Sequence, residues 1–276
     1  MGEPMARRLL EAGYNVSVAA HRNRKPVDAL ISAGADEATS YAAMAAACDV
    51  IMLCVSNSTV VETVVSEMRP SLKHGQIIID TSTSDPEVTR NLAHELAKDG
   101  IGLCDAPLTG GPEQAAAGQL GVLLGAQDDQ VERVMPILKA FANRIEHFGG
   151  AGSGHAAKLI NNYLVCGMVA LIADTYNSAH DAGIDWSKLF EVMQSGSSNS
   201  GALRKIVAPA LEGDFDGYRF SLANAHKDMT YYIRLSDKLA GPSDLARSVM
   251  AEFDDAVERG LSDKMVSRLI DPHLQG

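Results

Sequence analysis

The chain has 276 residues, 46% of them hydrophobic, and a formal net charge of -11. That length can bury a sizeable core and suits two domains better than one. The acid excess excludes a general affinity for nucleic acid or for an anionic membrane, because phosphate backbones need clustered Lys and Arg, and any anion bound here must meet locally placed cations.

In chain order, Met1 to Gly13 reads as the last glycine of a Gly-x-Gly-x-x-Gly turn, Gly2, followed by its helix. Pro4 falls in the first turn, where a missing N–H costs little. The strand and the two earlier glycines of such a turn do not precede Gly2. In a doubly wound sheet that strand is central, and its loss leaves a gap of about 10 Å, two strand spacings. The expectation is therefore a fragment or a chain started at an internal Met; a domain that simply opens on a helix is the alternative.

The first half then alternates short β-rich runs with amphipathic stretches, the pattern of a parallel sheet covered by helices. Strands are predicted at 15–20, 49–55, 76–80, 101–105, 120–125 and 144–148. After Gly149-Gly150-Ala151-Gly152 the strands stop, and helices are predicted at 155–182, 186–194, 222–239 and 243–259, with a short last one from Ser262. The fold expected is an α/β Rossmann-type doubly wound parallel sheet over 1–151, lacking its first strand, then an all-α domain over 152–276. The helix from His155 is apolar on nearly every side, so it should form a buried axis or a subunit contact, as in a homodimer or homotetramer joined through the helical domain. No signal peptide is recognisable, and no apolar run reaches membrane-spanning length without polar interruption. Cys48, Cys54, Cys104 and Cys166 are scattered without a C-x-x-C pair, which suggests buried thiols in a reducing, cytoplasmic setting.

Lys158 stands in the first turn of that apolar helix, in Gly152-Ser153-Gly154-His155-Ala156-Ala157-Lys158-Leu159-Ile160-Asn161-Asn162. The amide ends there form a positive pole that disfavours a cation and loosens its proton. Asn162, one turn further on the same face, is a poor mid-helix residue. Two locally unfavourable choices at one spot mark a site claimed by chemistry. An ordinary snorkelling lysine is the bland alternative. His155 and His226 neighbour the motifs, but their spacing suits no metal triad, and no metal is expected.

After the first predicted strand, a dinucleotide fold that takes NAD offers Asp or Glu to the ribose. Here the run is Ala20-His21-Arg22-Asn23-Arg24-Lys25. Arg22, Asn23 and Arg24 suit a 2′-phosphate, favouring NADP while leaving NAD possible; otherwise the run is a solvated basic turn. Cys54-Val55-Ser56-Asn57-Ser58 and Asp80-Thr81-Ser82-Thr83-Ser84-Asp85-Pro86 each follow a predicted strand at the sheet edge where open α/β folds bind ligands. Val55, Ser56 and Thr83 are the candidate contacts to ribose and phosphate, although turns favour such residues for backbone reasons alone. In Asp105-Ala106-Pro107-Leu108-Thr109-Gly110-Gly111, the Thr109 hydroxyl and the amides of Gly110 and Gly111 make a neutral cradle for a carboxylate.

This last segment, continuing to Ala115, Gly118 and Leu120, resembles the substrate-binding signature of the β-hydroxyacid dehydrogenase family. The 152–162 segment resembles that family's catalytic signature, and Phe220 to Lys227-Asp228 matches its later lysine-aspartate pair in spacing. The resemblance implies an N-terminal Rossmann domain, an all-helical C-terminal domain, and interconversion of small β-hydroxy acids with their aldehydes or ketones using NAD or NADP. It implies Lys158 as catalytic acid/base with Asn162 beside it at the substrate, and Thr109, Gly110 and Gly111 as contacts to the substrate carboxylate. Lys227 is implied near the nicotinamide and substrate, with Asp228 beside it. Three departures stand out: Leu108-Thr109 where Val-Ser is common, a loose Gly260-Leu261-Ser262-Asp263-Lys264 run, and the missing first strand. Imine reduction, and a non-catalytic dimerisation or partner-binding module, are the competing readings.

Overall fold

The computed structural model describes residues 1–19, 23–239 and 243–274. Two compact units, Met1–Lys158 and Leu159–Gly276, divide the chain. The division falls inside a helix rather than at the glycine cluster, because the first turns of that helix are tied into the first unit.

In the first unit, β1 (Ser17–Val18) pairs in parallel with β2 (Asp36–Glu37). A second parallel set runs in the order β3 (Val50–Leu53), β4 (Ile77–Asp80), β5 (Gly102–Asp105). In the third set, β6 (Leu108–Thr109) lies antiparallel to β7 (Leu120–Leu124), and β7 runs parallel to β8 (Ala142–His147). An antiparallel bridge between Asp105 and Gly125 links the second and third sets. Seven helices intervene: α1 (Gly2–Glu11), α2 (Lys25–Ser32), α3 (Tyr41–Ala47), α4 (Ser58–Met68), α5 (Pro86–Ala97), α6 (Pro112–Ala116) and α7 (Asp128–Leu138).

All of β4 is buried, as expected for a parallel strand covered on both faces. Its residues alternate between two cores. Ile77 and Ile79 pack with Met5, Val134 and Leu138, whereas Ile78 packs with Val61, Val65 and Leu96. The five long predicted strands from 49 onward each overlap an observed one. β2 was not foreseen, being two exposed acidic residues without visible alternation. β6 forms inside the segment read as a turn, and its antiparallel direction departs from an all-parallel sheet. Among the described residues β1 pairs only with β2, and β3 only with β4, so the ladder is interrupted between β1 and β3.

The second unit is helical. α8 (Ser153–Asp181) enters it and packs with α9 (Trp186–Ser195), α10 (Gly201–Leu211), α11 (Leu222–Leu239) and α12 (Asp244–Glu258). On α8 the burial is one-sided: Leu159, Cys166, Val169, Ala173 and Tyr176 are buried, while Ile160, Leu164 and Leu171 are 52%, 64% and 68% exposed. By length and composition alone α8 could cross a membrane, a test that a core helix passes as well. α10 escaped the sequence reading because Gly201 and Pro209 bracket it like loop residues. Ser200 nevertheless caps it, accepting from the Leu203 amide at 3.0 Å, and Leu203, Ile206, Val207 and Ala210 are buried on one face. The short α-helix expected from Ser262 does not form; Val266–Ile270 and Pro272–Leu274 are 3-10 turns instead. There the Val266 amide donates to Phe220 O at 2.8 Å, and Pro272 has no N–H with which to extend a helix.

The start of α8 is fixed from a distance. Asp105, at the carboxyl end of β5, accepts from the Gly152 amide through Oδ1 and from the His155 amide through Oδ2, each at 2.6 Å. It therefore acts as an N-cap supplied by another strand. The approach needs small residues. A Cβ on Gly154 would sit 2.3 Å from Leu123 O and 2.8 Å from the Gly125 amide, and Gly152 has φ +88°. Gly154→Ala must push helix and strand apart, so the free energy of unfolding should fall by about 1–3 kcal/mol, the usual cost of overpacking. Urea denaturation measures this, with Gly201→Ala as the control because nothing lies within 4 Å of its Cβ position.

Candidate active site

Lys158 is half-buried in the opening turns of α8. The amide pole invoked from sequence is not bare, since Asp105 already pairs with two of its N–H groups and offsets the positive end. Asp105 is itself fully buried; burial pushes its carboxyl up, against His155 and the two amides, which pull it down.

In the second unit, Asn162, Lys227 and Asp228 come together. The Asn162 Nδ2 donates to Asp228 Oδ2 at 2.6 Å, and both side chains are buried. A carboxylate can only accept, so the orientation of the Asn162 amide is fixed, and Asn161 Nδ2 donates to its Oδ1 at 3.1 Å. Lys227 Nζ lies 2.9 Å from Asp228 Oδ1 and 5.3 Å from the centre of the Tyr231 ring. Apart from that ion pair, Asp228 Oδ1 has no hydrogen-bond partner among the described residues. One buried carboxylate thus orients an amide and neutralises a lysine.

Thr109 ends β6, with its hydroxyl over Gly121: a Cβ there would lie 2.2 Å from Thr109 Oγ1. Gly110 is exposed and has φ +108°, a backbone geometry that side-chain-bearing residues rarely adopt. The Gly111 amide is already engaged, donating to Gln114 Oε1 at 2.9 Å, so the cradle offers fewer free N–H groups than the sequence suggests.

Of the residues expected at the cofactor, Lys227 and Asp228 lie in the second unit, and Gly2, Asn23, Arg24, Val55, Ser56 and Thr83 in the first. Arg22 lies outside the described residues. The Asn23 side chain accepts from the Lys25 amide at 3.2 Å. Arg24 is exposed and held by Asp28 and Glu37, with Nη2 to Glu37 Oε2 at 2.8 Å and Nε to Asp28 Oδ1 at 2.9 Å. That grip raises the Arg24 pKa and holds the Glu37 carboxyl below its usual range. Gly2 opens α1, whose N-terminus has no side-chain cap and sits beside Cys54 at the end of β3. Ser56, two residues beyond Cys54, is exposed, and the amides at a helix start are a type of group that could hold a phosphate. Val55 turns its amide to Ser82 Oγ at 2.9 Å, and Thr83 is half-buried. The hydroxyls flanking Thr83 face inward: Thr81 donates to Leu53 O at 2.6 Å and Ser84 to Asp80 at 3.0 Å.

His155 was given no role from sequence, yet it is fully buried among these groups. Its Nε2 lies 3.1 Å from Ser82 O and its Nδ1 2.8 Å from Thr89 Oγ1. A histidine at a helix start, just behind two glycines, was the available signal. The expectation of buried thiols holds for Cys104 and Cys166, whereas Cys48 is half-buried and Cys54 exposed. Burial pushes the Cys104 thiol up to about 12.

Residues 1–150 match the family model described as the NAD binding domain of 6-phosphogluconate dehydrogenase. Residues 152–273 match the one described as NAD-binding of NADP-dependent 3-hydroxyisobutyrate dehydrogenase. The chain is 30% identical to 2-(hydroxymethyl)glutarate dehydrogenase of Eubacterium barkeri, over 98% of this chain and 90% of that protein. It is 31% identical to 3-hydroxyisobutyrate dehydrogenase of Pseudomonas aeruginosa, over 81% of this chain and 78% of the relative. The solved structure of 3-hydroxyisobutyrate dehydrogenase from Mycobacterium tuberculosis with L-serine superposes with a TM-score of 0.88 at 25% identity, covering 98% of this chain and 94% of that one. With both halves matched in order, and a dehydrogenase relative matched over nearly its whole length, the chain belongs to the β-hydroxyacid dehydrogenase family.

Proposed function

We propose that this chain interconverts a small β-hydroxy acid and its semialdehyde or ketone with NADP, using Lys158 as the acid/base. The reading rests on the carboxyl end of β5. Asp105 there holds the first turn of α8, and Lys158 lies in the turn that follows. Immediately after Asp105 the chain passes into Leu108–Thr109 and on to Gly110 and Gly111, so the proton donor and the carboxylate cradle are fastened to one strand end.

When bound, the nicotinamide supplies or accepts hydride at C4. Thr109 and the Gly110 amide hold the substrate carboxylate, the Gly111 amide joins them by exchanging Gln114 Oε1 for it, and both glycines leave room for it. As the carbonyl oxygen gains alkoxide character, the Lys158 ammonium donates its proton there; in the reverse direction the Lys158 amine takes it back. Asn162, its amide set by Asp228, presents a fixed polar group one helical turn from Lys158. Lys227 and Asp228 serve the nicotinamide side. Two things support NADP over NAD: the description of the matching second-half family model and the lack of a carboxylate from Ala20 to Lys25. Homodimers or homotetramers are supported by the exposed stripe of Ile160, Leu164 and Leu171 on α8, and a cytoplasmic setting by the free cysteines.

Lys158→Met should cut turnover about a hundredfold or more, the scale of a lost general acid, while NADPH affinity measured by fluorescence stays unchanged. Near-normal turnover in that variant refutes the assignment. A panel of tartronate semialdehyde, 3-hydroxyisobutyrate and four-carbon semialdehydes, assayed with NADPH and with NADH, should show one preferred substrate and faster turnover with the phosphorylated cofactor. No NADPH binding by the wild-type chain, with no turnover of any of these, would favour a partner-binding module instead. Replacing Leu164 and Leu171 together by Asp should lower the sedimentation coefficient to that of a monomer.

A further inference from the structure

We infer that His155 is a positioning residue that acts through Lys158, the next turn of α8, by clamping the helix start to the ends of β4 and β5. The inference rests on the proposed role of Lys158.

His155 is buried within a layer of polar groups that no apolar core needs. Its Nε2 faces the Ser82 carbonyl at 3.1 Å; a carbonyl only accepts, so Nε2 carries the hydrogen. Its Nδ1 meets the Thr89 hydroxyl on α5 at 2.8 Å. Two buried carboxylates flank the ring, Asp80 Oδ2 at 3.8 Å from Nε2 and Asp105 Oδ2 at 3.6 Å from Nδ1. Asp105 also caps the backbone amide of this same residue at 2.6 Å. Main chain and side chain of one residue are therefore tied to three separate elements.

The ties extend to the loops assigned to cofactor. Ser82 donates its amide to Asp80 at 2.9 Å, accepts the Val55 amide on its hydroxyl at 2.9 Å, and accepts His155 on its carbonyl. Residues three apart on a helix are surface neighbours, so fixing position 155 fixes the base from which position 158 projects. A polar layer this deeply buried is costly unless every member is paired, and pairing makes it stiff. Stiffness is what a proton donor needs, since a misplacement of about 1 Å costs about a hundredfold in rate.

The test compares His155→Leu, which removes both ring contacts, with His155→Gln, whose Nε2 can still donate to Ser82 O. Lys158→Met runs alongside, with NADPH and the best substrate of the semialdehyde panel. His155→Leu should lower kcat about a hundredfold, with KM and NADPH affinity within about twofold, and shift the pH limb of kcat. His155→Gln should restore kcat to within about threefold. Hydrogen exchange at residues 152–158 should quicken in the Leu variant and recover in the Gln variant. If His155→Leu does not fold, His155→Asn replaces it, because the shorter amide reaches towards Thr89 but not Ser82. Equal kcat in the Gln variant and the Leu (or Asn) variant overturns the inference, as does a loss carried by KM or by NADPH affinity. Full turnover in Lys158→Met overturns the reading of Lys158 and this inference with it; loss in Lys158→Met but none in the His155 variants overturns the inference alone.

Discussion

A buried carboxylate cannot stay charged without donors, and Asp105 obtains two of them from the opening turn of α8. That exchange settles much of the first unit. The helix start has otherwise unsatisfied amides, the strand end has a carboxylate with no water, and each answers the other's need. The glycines follow from it: Gly125 and Gly154 are bare because a Cβ on either would strike backbone or the carboxylate itself, and Gly152 adopts a left-handed φ to bring its amide round. Lys158 inherits its place from this junction.

The second unit repeats the device at smaller scale. Asp228, 4% exposed, is shared between the Asn162 amide and the Lys227 ammonium. Asn162 and Asp228 are buried polar groups that would be costly unpaired, and with Lys227 they make a set without net charge. The exposed ion pairs elsewhere, such as Arg8 with Glu11 or Arg69 with Asp99, contribute little by comparison.

How much could be read beforehand depended on whether a residue's reason was local. The buried strands showed themselves because Ile77, Ile78 and Ile79 need apolar cover on both faces, and α11 because its apolar positions keep helical spacing. β2 and β6 are too short to show a period, and α10 hides behind a glycine and a proline. Among the candidate site residues, Lys158 and Asn162 stood out because each is odd for its surroundings, and the Thr109-Gly110-Gly111 run through the family signature it resembles. His155 did not, since a lone histidine carries no local contradiction; its partners Ser82 and Thr89 lie far away in sequence. In the hydroxyl-rich run after β4, Thr81 and Ser84 make inward hydrogen bonds that their distant partners hide from a local reading.

The clasp of Arg24 on Glu37 and Asp28 bears on how any anion is received there. A guanidinium already neutralised presents no vacant charge, so an arriving phosphate gains only the difference between itself and two displaced carboxylates. Selection at such a point is by barter between competing anions, and it weakens less with added salt than a bare cation would, since the same ions that screen the newcomer also screen the incumbents.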